Sequence, residues 1–166
     1  MIADYIKQTI CVSSSPIGTQ GESAVAHYVY SQRMDGRYRL FKDSNYFGLN
    51  RVYDDLFDIA SKCRAENWDG QGASPVTPES LYLACRFLYA LPLGTALPSV
   101  GVEPDGEMTL EWYHSPRRTL SISFGKNYEL SYSALFGASK AYGSEPFFGE
   151  IPKNIMEFIA RVVSQQ

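Results

Sequence analysis

The sequence predicts an α+β protein, an antiparallel four-stranded meander with helices packed on one face, in the order αα-ββββ-α. Three observations carry this. Apolar residues recur at helical spacing twice between Asn50 and Leu91, the period changes to two after Pro98, and a helical pattern returns after Ile151. Residues 1–48 stand apart as an N-terminal segment, either an arm or part of the core, and 49–166 form the core domain.

In the N-terminal segment the periods are mixed. "MIADYIKQTICV" suits a strand or a short helix, and "SSSPIGTQGES" is a loop by composition. "SAVAHYVYSQRM" has helical character from an N-cap at Ser23, and "GRYRLFK" alternates in the manner of a strand.

The first core helix lies in "NRVYDDLFDIASKCRAEN", where Val52, Leu56, Ile59, Ala60 and Cys63 share a face. Asp54, Asp55 and Asp58 near its start and Lys62 and Arg64 near its end complement the helix dipole. The second helix begins with Thr77 as N-cap and Pro78 at its first position, repeats Leu81, Ala84, Cys85 and Leu88 on one face, and stops at Pro92 and Gly94.

"SVGVE" and "EMTLEWY" then flank "PDG", a tight-turn signature, with Met108, Leu110 and Trp112 pointing one way. "TLSISF" alternates Leu120, Ile122 and Phe124 against serines, "GKN" turns the chain, and "YELSYS" sets Tyr128, Leu130 and Tyr132 on one face. "FGASKAYGSEPFFGE" reads as a loop. "IPKNIMEFIARVV" closes the chain as a helix with Ile155, Phe158, Ile159 and Val162 inward.

Composition narrows the function. Of 166 residues 45% are apolar and 20% charged, ordinary values for a folded chain, while aromatics reach 14% with twelve tyrosines. Tyrosine suits interfaces because an apolar ring carries a polar tip. The net charge of −3 and the lack of a basic stripe disfavour nucleic-acid binding over a broad surface. Three cysteines, Cys11, Cys63 and Cys85, without CxxC spacing, give neither a disulfide framework nor a zinc site, which points to a cytoplasmic chain. No segment approaches a membrane span.

Catalytic constellations are sparse. His27 and His114 are the only histidines, and His114 lies in "YHSPRRT", a predicted hairpin tip. No HExxH, HxxE or phosphate-loop pattern occurs, so no metal and no cofactor are expected. The acidic groups Asp54, Asp55, Asp58 and Glu103, Asp105, Glu107 have structural explanations in the helix dipole and turn chemistry. The two basic spots both adjoin aromatics. Arg37, Tyr38 and Arg39 in one, and Tyr113, Arg117 and Arg118 in the other, are the expected partner contacts, since arginine beside tyrosine is hot-spot composition. Charge reversal at Arg117 and Arg118 is expected to weaken binding and leave the melting temperature unchanged.

"ENWDGQGASPVTPES" poses the remaining question. Asn67 and Asp69 can bond nearby backbone, Gly70 and Gly72 allow positive φ, and Pro75 stiffens the approach to the second helix. Trp68, Asp69, Gly70 and Gly72 are therefore expected to form a structural turn. In this reading Trp68 buries its ring over the seam of helices and sheet, at a cost of about 3–5 kcal/mol for Trp68→Ala.

"NWDGQGASPVTPES", the helix ending in Leu-Pro, and "PSVGVEPDGEMTLEW" together resemble an uncharacterised family of small bacterial, mobile-element-associated proteins with a W-D-G-x-G-A-x-P segment and a P-D-G-x-x-x-L-x-W segment. The resemblance covers about residues 66–132 and a similar closing helix, with Gln71 where the family more often carries an aromatic. It implies an antitoxin-like, immunity-like or inhibitor role. The leading expectation is a non-enzymatic protein that binds another protein. The alternatives are a hydrolase or nuclease using His114 with Glu111 or Glu103, and a DNA-binding regulator.

Overall fold

Helix α1, Leu49–Lys62, opens the part of the protein that the computed structural model describes, residues 48–164. Expectations for the segment before Gly48, including Arg37, Tyr38 and Arg39, lie outside the described residues. Helix α1 buries Leu49, Val52, Tyr53, Leu56, Ala60 and Cys63, while Ile59 is half-buried. Because it starts at Leu49, Asp54, Asp55 and Asp58 fall beyond the first turn, where the dipole has faded. The expected dipole role is corrected accordingly, and Asp58 instead meets Lys62 one turn on, at 2.6 Å.

Helix α2, Pro78–Ala90, starts as its sequence signals require. Thr77 Oγ1 accepts from Ser80 N at 3.2 Å, and Pro78 occupies the first position, where no N–H is needed. Its buried arc is wide, from Ser80 through Leu81, Leu83, Ala84, Phe87 and Leu88, because it has neighbours on more than one side. Tyr53 of α1 donates its hydroxyl to Cys85 O at 2.9 Å on one side. On the other, Ser80 Oγ accepts from Met108 N at 2.6 Å, joining the helix start to the sheet.

Five strands, not four, form one antiparallel sheet in the order β1-β2-β3-β4-β5. They are β1 Ser99–Val102, β2 Met108–Ser115, β3 Arg118–Phe124, β4 Glu129–Phe136 and β5 Ser139–Pro146. Strand β5 lies where the composition of the sequence predicts a loop. Its inward positions are Ser139, Ala141, Gly143 and Glu145, so it carries no apolar alternation of its own. The ring of Tyr132 on β4 supplies the missing contact, lying where a side chain on Gly143 would stand; a Cβ there would be 2.9 Å from Tyr132 Oη. Gly137, at φ +71, makes the two-residue turn that pairs Phe136 with Ser139.

A second correction concerns Tyr128. It does not join the inward row of β4 but sits in the preceding turn at φ +57, following Asn127 at φ +63. The inward row is Leu130, Tyr132, Ala134 and Phe136.

Helix α3, Lys153–Val163, contacts β2, β3 and β4, and α2 contacts β2 and β3 on the same face. The core between them holds Met108, Leu110, Trp112, Leu120, Ile122, Phe124 and Leu130. Phe87 is its aromatic centre, with ring centroids 5.4 Å from both Phe124 and Phe147 and 6.3 Å from Trp112. Trp112 donates its indole N–H to Ala96 O at 2.7 Å, so its one polar atom is not left unpaired. From Arg51 onward the chain forms one compact unit.

The tryptophan turn is a clasp on the β1–β2 hairpin. Asn67, at φ +58, accepts from Gly72 N through Oδ1 at 2.7 Å, and Asp69 Oδ1 accepts from Gln71 N and Ala73 N at 2.7 and 3.0 Å. Gly70 and Gly72 take φ +75 and +98. The shaped loop then meets the Pro104–Gly106 turn. Ser74 N donates to Pro104 O at 2.7 Å, Thr77 N donates to Gly106 O at 3.3 Å, and a Cβ on Gly106 would overlap Pro75 O. Trp68 is half-buried, not a core residue, and donates its indole N–H to Ser74 O at 2.8 Å. It braces the loop from outside, which corrects the expectation of a ring buried over the seam.

Candidate functional site

Helices cover one face of the sheet. The other presents Ser99 and Gly101 on β1, Thr109, Glu111 and Tyr113 on β2, and Thr119, Ser121 and Ser123 on β3. Ser131, Ser133 and Leu135 on β4 and Lys140, Tyr142 and Ser144 on β5 complete it. Small hydroxyls dominate and bond one another: Thr109 Oγ1 lies 3.2 Å from Ser123 Oγ, and Ser131 Oγ lies 3.2 Å from Ser144 Oγ. Large side chains gather at the β2–β3 tip end. Register places Tyr113 beside Thr119, Thr119 beside Leu135, and Leu135 beside Lys140. Tyr113 is 62% exposed and Tyr142 74%, with Lys140 Nζ 5.9 Å from the Tyr142 ring centre.

The expected contact set at this tip divides across the sheet. Tyr113 belongs to the outer face and Arg117 is exposed in the turn, its carbonyl accepting from Gly137 N at 2.7 Å. Arg118 points the other way. Its guanidinium donates to Arg161 O, to Ser164 O at 2.8 Å and to Ser164 Oγ at 3.1 Å, tying off the carbonyl end of α3. It is a structural cation, which corrects the expectation that reversing its charge leaves the melting temperature unchanged. Tyr142, Leu135 and Lys140 were not anticipated. Their signal, the alternation of Lys140 and Tyr142, is visible only once β5 is recognised as a strand.

His114 is exposed at the end of β2, and among the described residues no hydrogen bond or ion pair joins it to Glu111 or Glu103. Glu103 accepts instead from Thr109 Oγ1 at 3.3 Å. No group of three or more His, Cys, Asp or Glu among the described residues could hold a metal ion, and no described helix is long and apolar enough to cross a membrane. Burial pushes the Cys85 thiol up to about 12, although the residue as a whole is only half-buried.

At the opposite end of the sheet, the β1–β2 and β3–β4 turns frame an open concavity of about 390 Å³. Asp105, Glu107, Lys126, Asn127 and Glu129 line its polar wall, with Phe124 and Gly125 at its back. Pairing of Met108 with Phe124 sets Glu107 beside Gly125, where the lack of a side chain makes room for the carboxylate. Burial raises the Glu107 carboxyl above its ordinary range, and Asp105, Glu103 and Glu129 add to the rise against the opposing Lys126. Tyr128, between the lining residues Asn127 and Glu129, sets its ring 6.0 Å from that of Phe148 between centroids.

No family model, curated protein or solved structure matches the chain. The segments Trp68–Pro75 and Pro104–Gly106 are the two halves of the clasp.

Proposed function

We propose that this is a non-enzymatic protein that binds another protein through the outer face of its sheet, acting as an inhibitor or as an antitoxin- or immunity-like accessory protein. The observation that carries the reading is the sheet face that no described helix covers, where Tyr113 is 62% and Tyr142 74% exposed among small hydroxyls. Tyr113 stands on β2, between β1 and β3, and Tyr142 on the edge strand β5, whose full length pairs with β4. Backbones held in the sheet lose little freedom on contact, and tyrosine anchors carried by them are efficient binders. Leu135 and the Lys140 ammonium complete a mixed patch of the kind found at interface centres. The inhibitor or antitoxin-like role draws on the family resemblance alone.

The test is capture from an extract of the native host by the tagged wild-type chain and by a Tyr113→Asp, Tyr142→Asp variant. A protein retained by the first and lost by the second, at equal melting temperature, supports the proposal. Identical captured sets from both chains count against it.

A further inference from the structure

Phe148 is an apolar ring 72% exposed, yet the loop beneath it is pinned. Arg86 of α2 donates from Nη2 to Phe148 O at 2.7 Å, and its guanidinium lies 5.7 Å from the Tyr82 ring centre. It fills the space a side chain on Gly149 would need. Phe147, directly before, is fully buried in the core and donates its N–H to Tyr128 O at 2.7 Å. Phe148 is thus held outward by the Arg86 bond to its carbonyl and by the anchored Phe147 before it, and Tyr128, 42% exposed, is set against it by a turn with two successive positive φ values. Holding a large apolar ring in water has no benefit for the fold. A fixed apolar surface of this kind is what a docking partner exploits, because no ordering cost attends its use.

The chemistry next to the rings names the partner. Asn127 and Glu129, the residues on either side of Tyr128, line the concavity, and Asp105 and Glu107 line it from the β1–β2 turn. Glu79 stands close by, accepting from Asn127 N at 3.0 Å. Against three lining carboxylates there is one lining cation, Lys126. A phosphate or an acidic peptide would be repelled, whereas a guanidinium would meet several carboxylate oxygens in a partly sheltered site, where charge-assisted bonds are strongest.

We infer that the Tyr128–Phe148 rings and the adjoining carboxylate-lined concavity form a docking surface for a basic segment of a partner protein that also carries a large apolar side chain. The apolar group covers the two rings and an arginine or lysine enters the concavity. This surface lies at the other end of β2 and β3 from Tyr113, Tyr142 is not part of it, and the inference does not rest on their role.

The test titrates the intact protein into three fluorescein-labelled peptides, followed by anisotropy. One alternates arginine and tryptophan with neutral spacers, the second replaces each arginine by glutamate, and the third replaces each tryptophan by serine. Saturable binding of the first is expected, with weaker binding of the third, none of the second, and a fall in affinity as salt is raised. The Glu107→Gln, Glu129→Gln variant and the Phe148→Ser variant should each lose about tenfold in affinity. Glu107 is repelled by its neighbours and Phe148 is exposed, so both variants should keep the wild-type circular dichroism. An Asp54→Asn, Asp55→Asn variant of the same net charge, altered at exposed positions of α1 that do not line the concavity, should bind as wild type does. The inference is overturned by absence of saturable binding, by equal binding of the glutamate peptide, or by an equal loss in the α1 variant.

Discussion

Gly106→Ala tests the clasp between the tryptophan loop and the hairpin turn. Gly106 has φ +88, a conformation that costs an L-residue about 1–2 kcal/mol. The new Cβ would also overlap Pro75 O, a main-chain atom that cannot swing aside like a side chain. The loops must part, which weakens the Ser74 N to Pro104 O and Thr77 N to Gly106 O bonds, each worth about 1 kcal/mol net. The expected loss is therefore about 3–4 kcal/mol. Gly70→Ala is the matched control, since Gly70 has φ +75 but a Cβ there meets nothing within 4 Å. It should lose only the conformational part, about 1–2 kcal/mol. With a urea slope of about 1.5 kcal/mol per molar, the midpoints should fall by about 2 M and about 1 M respectively. Equal losses in the two variants would refute the claim that the loops are clasped through Gly106.

Other expectations follow from the same geometry. Arg118→Ala should cost about 1 kcal/mol by freeing the last carbonyls of α3, whereas Arg117→Ala should leave the thermal midpoint unmoved. Trp112→Ala should cost about 3–5 kcal/mol, and Trp68→Ala only about 2 kcal/mol, because Trp68 is half-buried and loses one hydrogen bond; urea unfolding ranks the pair. Two carboxyls bend the pH profile in opposite senses. The Asp69 carboxyl is held below its ordinary value of 3.8, first by the Gln71 N–H and then by the Ala73 N–H. Its contribution is full above that value and is lost as pH falls through the folded one, so Asp69→Asn should flatten stability at the acid end. Glu107, raised above 4.5 by burial, favours the fold when protonated. Its ionised form opposes folding at neutral pH and the opposition fades as pH falls through the raised value. Glu107→Gln should stabilise the neutral protein in urea titrations.

How much of this could be read from residues alone depended on where each signal resides. Helices α1 and α2 and strands β1 to β4 carry their own periodicity, and Thr77-Pro78 and Pro104-Asp105-Gly106 carry their own punctuation, so they were legible. Strand β5 was not, because its fit to the sheet is written in Tyr132 on the neighbouring strand and in the emptiness of Gly143. Leu83, Phe87 and Tyr53 were missed from the core for a related reason. A single-face helical pattern cannot show that α2 has neighbours on two sides. The surfaces follow the same rule. Tyr113 stands out by strand alternation, but the concavity joins residues from two turns, and only the pairing of Met108 with Phe124 brings Glu107 to Gly125. Arg118 shows the limit of composition, since its neighbour Tyr113 in the sequence lies on the opposite face.

Because strand order in space is strand order in the chain, every β-pairing closes over a short loop, and the meander can zip up hairpin by hairpin with little chain entropy spent. The clasp is different in kind. Ser74 and Pro104 are separated by a whole helix, so their bond forms only after α2 has been laid on the sheet. The transition state for folding is then expected to contain the meander and lack the clasp. Weakening the clasp would accelerate unfolding and leave the refolding rate nearly unchanged, which makes this loop the natural place to tune the lifetime of the folded protein.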